Sequence, residues 1–124
     1  MINSRTPIKK LVIEEGVIAI GTEAFYDAGL EETILPESIE YIGESAFAYN
    51  DTTINLPENL TYIGEDAFYS TNLSGEIFIK NINIGESAFA YTKVNKVSFA
   101  DDIEIITTSL FRGCKELNQV TLPK

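Results

Sequence analysis

The chain has 124 residues, 44% of them apolar, a formal charge of −10, one cysteine and no histidine. That length is one domain's worth, and the missing imidazole excludes a Ser-His-Asp triad and a His-ligated zinc site. One cysteine, Cys114, rules out an internal disulfide, and no run nears the roughly 18 apolar residues of a membrane-spanning helix.

Met1 to Lys10 has no apolar segment of the kind a secretory signal carries, and residues 1–7 read as an N-terminal extension. From there on, six short segments alternate with period two and read as strands. They are Leu11-Val12-Ile13, Thr33-Ile34-Leu35, Ile54-Asn55-Leu56, Ile77-Phe78-Ile79, Val97-Ser98-Phe99 and Val120-Thr121-Leu122. Three run into Leu-Pro, at Pro36, Pro57 and Pro123, where the missing amide ends the ladder. An apolar residue (Val17, Ile39, Leu60, Ile82 or Ile103) follows each of the first five strands, and then an isoleucine, Ile20, Ile42, Ile63, Ile84 or Ile106.

Behind four of those isoleucines stands the same box: Gly21 to Phe25, Gly43 to Phe47, Gly64 to Phe68 and Gly85 to Phe89, each ending in Ala-Phe. A worn fifth copy ends in Leu110-Phe111, and the five phenylalanines are spaced by 22, 21, 21 and 22 residues. Such a period marks a solenoid whose turns stack into one core. The glycine implies a tight corner, through positive φ or a close neighbour. Glu or Ser after it suits the first turn of a short helical or 3-10 segment. Ala and Phe then point inward, the alanine leaving room for the adjacent coil. A closing apolar residue, Leu30, Val94 or Leu117, precedes the next strand. Asp51 at that place in the third turn and a one-residue slip near Leu73 are the expected irregularities.

Charge follows the repeat order. Leu11 to Ile79 holds fourteen carboxylates and no Lys or Arg, whereas Lys80 to Lys124 is nearly neutral. The early turns should therefore be an acidic block that supports solubility and repels phosphate backbones, which argues against nucleic acid.

The segments Leu117 to Pro123, Leu35-Pro36 through Ile39, Ile42-Gly43 and Ala46-Phe47 resemble the leucine-rich repeat of the BspA-like, or Treponema pallidum type, proteins. The resemblance runs from Ile8 to Pro123. It implies a bacterial-type cell-surface or secreted protein whose repeats bind host matrix proteins or other cells, and it transfers no contact residue. In that family a cysteine often stands three residues after Phe. Only Cys114 fits, with Ala28, Asn50, Thr71 and Thr92 elsewhere, and it reads as a small buried core residue.

Adjacent carboxylates occur at Glu14-Glu15, Glu31-Glu32, Glu65-Asp66 and Asp101-Asp102, without a cleft to make them catalytic. No enzyme, cofactor or metal is expected. Glu44, Glu65 and Glu86 share one repeat position and should form a ladder about 5 Å apart. A solvated column is the favoured reading over a calcium site, because the ligand spacing of calcium loops is missing.

The expected fold is all-β, a right-handed leucine-rich repeat solenoid over residues 8–124, with five turns and a sixth terminal strand, a concave parallel sheet and short helical or 3-10 turns. Val12, Ile34, Asn55, Phe78, Ser98 and Thr121 should line the concave face, flanked by Lys10, Glu32, Thr53, Glu76, Lys96 and Gln119. A protein partner is expected on Val12, Ile34, Asn55, Phe78, Ser98, Thr121, Glu32 and Glu76. Tyr41 and Tyr62, with Tyr26, Tyr49, Tyr69 and Tyr91, form a second candidate edge. The expected function is a noncatalytic protein-binding or adhesion module, with a spacer segment of a longer repeat protein as the alternative. Neither end shows a polar cap, so end-to-end self-association or continuation of the array is expected.

Overall fold

The computed structural model describes residues 8–123, and the expected extension 1–7 lies outside them, as does Lys124. In chain order the strands are β1 (Lys10–Val12), β2 (Ala19–Ile20), β3 (Glu32–Ile34), β4 (Tyr41–Ile42), β5 (Thr53–Ile54), β6 (Tyr62–Ile63), β7 (Ser74–Ile79), β8 (Asn83–Ile84), β9 (Lys93–Phe99) and β10 (Gln119–Thr121). Every pairing is parallel. Each of the first four coils gives one strand to a front sheet and one to a second sheet of order β2-β4-β6-β8, so the chain is a β-solenoid of about five turns.

The front sheet is broken. It consists of β1-β3-β5 and, separately, β7-β9-β10, with no pairing between β5 and β7. Chain lengths explain the break. Ile54 follows Phe47 by seven positions, but Ile77 follows Phe68 by nine, so the fourth strand arrives late against its neighbour. Ile84 then follows Ile77 by only seven positions where Ile63 follows Ile54 by nine, and the β6-β8 register is recovered. The extra length lies before β7 begins, about the slip expected at Leu73: Ser74 follows Phe68 by six positions where its partner Lys93 follows Phe89 by four, and part of the difference is made up by a bulge on β9, where Asn95 is left over between Val94 and Lys96 opposite Gly75 and Glu76. Asp51 is exposed rather than inward. Thr52 takes the buried place instead, its hydroxyl paired with that of Thr33 at 2.8 Å.

Inside the coils Phe47, Phe68 and Phe89 are fully buried, as are Ala46, Ala67 and Ala88. The five phenylalanine rings form one stack, with centroids 5.6–6.0 Å apart and planes within 5–11° of parallel, the offset arrangement that aromatic quadrupoles favour. Phe25 and Phe111 close its two ends and are only partly buried.

The corner after the glycine is not helical, contrary to expectation; among the described residues there is no helix. Ser45 (φ 54°) and its equivalents Glu23, Asp66, Ser87 and Ser109 are left-handed, and so are Asp27, Tyr49, Ser70 and Tyr91 two residues past each Phe. Ala46 N donates to Gly43 O and Ala48 N to Ser45 O within the corner. In between, Ser45 N, Phe47 N and Tyr49 N donate to Glu65 O, Ala67 O and Tyr69 O of the next coil, at 2.9–3.0 Å. A helix would direct every amide along its own short axis, whereas this alternation sends every second one to the neighbouring coil. Those bonds stabilise left-handed residues that would otherwise cost roughly 1–2 kcal/mol each.

The repeated glycine answers to the close neighbour, not to positive φ. A Cβ on Gly43 would stand 2.7 Å from Thr22 N and one on Gly64 2.5 Å from Glu44 N, with Gly85 tighter still against Glu65. At Gly21, on the first coil, the same Cβ would meet nothing within 4 Å.

The position three residues after each Phe, occupied by Ala28, Asn50, Thr71, Thr92 and Cys114, carries a polar column whose bonding the sequence did not show. Asn50 is buried; its Nδ2 donates to the carbonyls of Phe25, Phe47 and Ala48, and its Oδ1 accepts from the amides of Ala28 and Leu30. Thr71 and Thr92 hydroxyls donate to Phe68 O and Phe89 O from the same repeat position. Cys114 continues the column with Sγ 3.1 Å from Phe89 O, but it is only partly buried. It is a backbone-bonding residue at the core's edge and not the enclosed apolar one expected.

Two consequences are measurable by urea unfolding. Phe47→Ala or Phe68→Ala should cost roughly 3–5 kcal/mol through lost burial and the cavity left behind, and a loss under about 1 kcal/mol would contradict the stack. Gly64→Ala should destabilise strongly, since its new methyl meets fixed backbone, whereas Gly21→Ala should change stability by no more than about 1 kcal/mol. Equal effects at the two sites would refute the close-approach explanation.

Candidate protein-binding face

Pairing register builds the exposed side of the front sheet from two columns. Lys10, Glu32 and Thr53 align across the first half-sheet, and Glu76, Lys96 and Gln119 across the second. Beside them Val12 aligns with Ile34, and Phe78 with Ser98 and Thr121. Period-two alternation turns Thr33, Ile54, Ile77 and Val97 inward, so these neighbours must face out.

Val12 is 48% exposed, Ile34 42% and Phe78 54%, large values for residues of their size on regular strands. Glu32, Glu76 and Thr121 are exposed as expected, whereas Ser98 is half-buried between Phe78 and Thr121. Asn55 reaches the surface with its amide bonded to the neighbouring coil. Its Oδ1 accepts from Leu35 N at 2.8 Å and its Nδ2 donates to Leu35 O at 3.0 Å, so the side chain acts as a rung where β5 parts from β3. The eight expected residues therefore fall into two groups. Val12, Glu32 and Ile34 lie on one half-sheet, Glu76, Phe78, Ser98 and Thr121 on the other, and Asn55 marks the seam. The only signal of the seam was the uneven spacing of Ile54 and Ile77 from their preceding phenylalanines.

Lys10 Nζ stands 4.0 Å from Glu32 Oε1, with both side chains more than half exposed, an ion pair of little energetic weight that leaves both groups open to a partner. The tyrosines make a separate edge. Tyr41 and Tyr62 stack at 4.5 Å and 6° on the second sheet. Tyr26, Tyr49, Tyr69 and Tyr91 run in a line of centroids 5.2–5.6 Å apart but are mutually tilted by 53–74°, covering one another's faces instead of presenting a flat platform.

The carboxylate pairs Glu14-Glu15, Glu31-Glu32 and Asp101-Asp102 are exposed, and none of them lines the cavity beside Ile54 and Ile77 or the one beside Ile82 and Ile105. Among the described residues no cluster of three or more His, Cys, Asp or Glu is arranged to hold a metal ion. The Glu44, Glu65 and Glu86 column instead shows repulsion. The Glu65 carboxyl titrates above its ordinary range, first because Asp66 is beside it, then through burial, then through Glu44 and Glu86. Asp66 is also raised, first by burial and then by Glu44 and Glu86.

A carboxyl whose pKa is higher folded than unfolded favours folding only while protonated. That contribution is present below the ordinary carboxylate range and is lost as pH rises through the raised value. At pH 7 it is gone, so Asp66→Asn, which keeps the shape without the charge, should raise the melting temperature by roughly 2 °C. The gain should shrink as pH falls towards 4 and in high salt. A gain that is the same at pH 4 and pH 7 would show that charge is not its cause.

A family model for the BspA type leucine rich repeat region matches residues 3–86 and 82–124 in six copies. No curated protein and no solved structure matches. The matched residues take in the glycine corners, the phenylalanine stack and the repeated strands, and the chain belongs to the BspA-type leucine-rich repeat family.

Proposed function

We propose that this chain is a noncatalytic protein-binding module of a cell-surface or secreted repeat protein, and that it engages its partner through the exposed face of the front sheet. The observation that carries the reading is the alignment of Val12 with Ile34, and of Phe78 with Ser98 on the second half-sheet, each beside a pair of opposite charges, Lys10 with Glu32 and Glu76 with Lys96. An apolar patch rimmed by charged groups is the pattern of a protein contact site. The repeat type supports it, since leucine-rich repeats generally act as binding scaffolds and the BspA type is typical of bacterial surface and secreted proteins. Adhesion to a host matrix protein or to another cell is the form of binding that setting suggests.

The rigid scaffold keeps the patch preorganised, so association need not order the sheet first. Ile34→Lys combined with Phe78→Lys should weaken binding to immobilised matrix proteins by about a hundredfold or more, as loss of two central anchors does. Because both side chains are exposed, the thermal midpoint should stay within about 2 °C of the parent. Surface plasmon resonance on both proteins gives the comparison. Undiminished binding by the double variant would move the contact to the tyrosine edge, and absence of binding by the parent would favour the spacer reading.

A further inference from the structure

The break in the front sheet opens a cleft between the third and fourth coils. Its volume is about 510 Å³, within the range of roughly 300–1,000 Å³ usual for ligand sites. The apolar walls include Ile54 and Leu56 from one coil and Ile77, Ile79 and Ile82 from the next. Behind the cleft the solenoid is intact: Tyr62 and Ile63 pair with Asn83 and Ile84, and Phe68 stacks on both its neighbours. The opening is bounded along the chain as well. At one end Asn72 N donates to Thr52 O and Asn72 Nδ2 to Asp51 O; at the other Lys80 Nζ donates to Glu58 O at 2.6 Å.

Between those closures the two facing edges carry main chain that pairs with nothing across the gap. β7 pairs along its whole length with β9, so its hydrogen-bonding groups on the opposite edge, over Glu76 to Ile79, stand open towards β5. An apolar small molecule would fill the walls but leave those edge groups unmatched, whereas a strand of polypeptide supplies both at once. The distance from Ser74 to Ile79 corresponds to about five extended residues at ~3.3 Å each. Glu58, Glu76 and Lys80 line the rim, with the Lys80 ammonium turned onto the Glu58 carbonyl, so the two carboxylates leave the rim net negative.

We infer that this cleft binds an extended peptide segment, paired by its main chain to the free edge of β7, with apolar side chains at alternate positions turned into the cleft and basic ones between them facing the acidic rim. The cleft shares Asn55, Glu76 and Phe78 with the proposed contact face but not Val12 and Ile34, and it does not rest on that face binding anything.

The probe is a seven-residue peptide alternating lysine with valine or isoleucine, end-capped and fluorescently labelled, titrated against the full chain by anisotropy. Saturable one-to-one binding is expected. N-methylation of alternate residues on the peptide's pairing edge should weaken it at least tenfold, because a strand without those donors cannot pair. Leu56→Trp, which fills the cleft from a half-buried position, should abolish binding, with an unchanged circular dichroism spectrum showing that the coils persist. Ile34→Lys should leave peptide binding intact, which separates this site from the Val12 and Ile34 half of the matrix-protein face. No saturable binding, equal affinity for the methylated peptide, or full binding by a folded Leu56→Trp variant would each overturn the proposal, the second by showing an apolar pocket without strand pairing.

Discussion

The backbone hydrogen bonds that tie each coil to the next set the translation on which everything else depends. Gly43 N donates to Ile20 O, Gly64 N to Ile42 O and Gly85 N to Ile63 O, each at 2.8 Å. So regular an approach brings neighbouring corners too close for a side chain, which is why a residue without Cβ stands there. The same step superimposes like on like. Phenylalanine on phenylalanine gains dispersion and ring stacking in a dry interior, while Glu65 between Glu44 and Glu86 is held among like charges. A stacked solenoid amplifies the chemistry of each position, favourable or not, by the number of coils that repeat it.

Where the repeat is strict, the sequence was enough to read the fold. Period alone placed Phe47, Phe68 and Phe89 in the core and aligned Val12 with Ile34 and Phe78 with Ser98. It did not reveal the corner's conformation, because Glu23, Ser45 and Asp66 are compatible locally with a short helix and only the bonds to the next coil select the left-handed state. Those partners are some twenty residues away, so no local propensity reports them. Nor did an apolar criterion find Thr52 or Asn50, which are buried because their polar atoms satisfy backbone or one another across coils.

The column of Asn50, Thr71, Thr92 and Cys114 shows how such a structure closes its own turns. A backbone leaving the phenylalanine corner exposes carbonyls with no strand partner, and a side chain three residues on returns to bond them. Several residue types serve, provided they are small and carry a polar atom at the right reach. Asn55 does the comparable task on the sheet, where its amide replaces one missing rung of the β3-β5 ladder. That substitution explains how it can be surface-exposed and still have its amide committed to the backbone of the neighbouring coil.

The sheet face owes its freedom to this division of labour. Inward positions are constrained by stacking, and the corner by backbone contact, but the outward positions Val12, Ile34, Phe78, Ser98 and Thr121 face no neighbouring coil above the sheet. They vary between aliphatic, aromatic and hydroxyl side chains without disturbing the columns beneath. The break between β5 and β7 extends the same logic from side chains to main chain. A small imbalance in segment length, confined by the intact β6-β8 pairing behind it, converts an otherwise saturated sheet into one with a free internal edge while the phenylalanine stack continues uninterrupted.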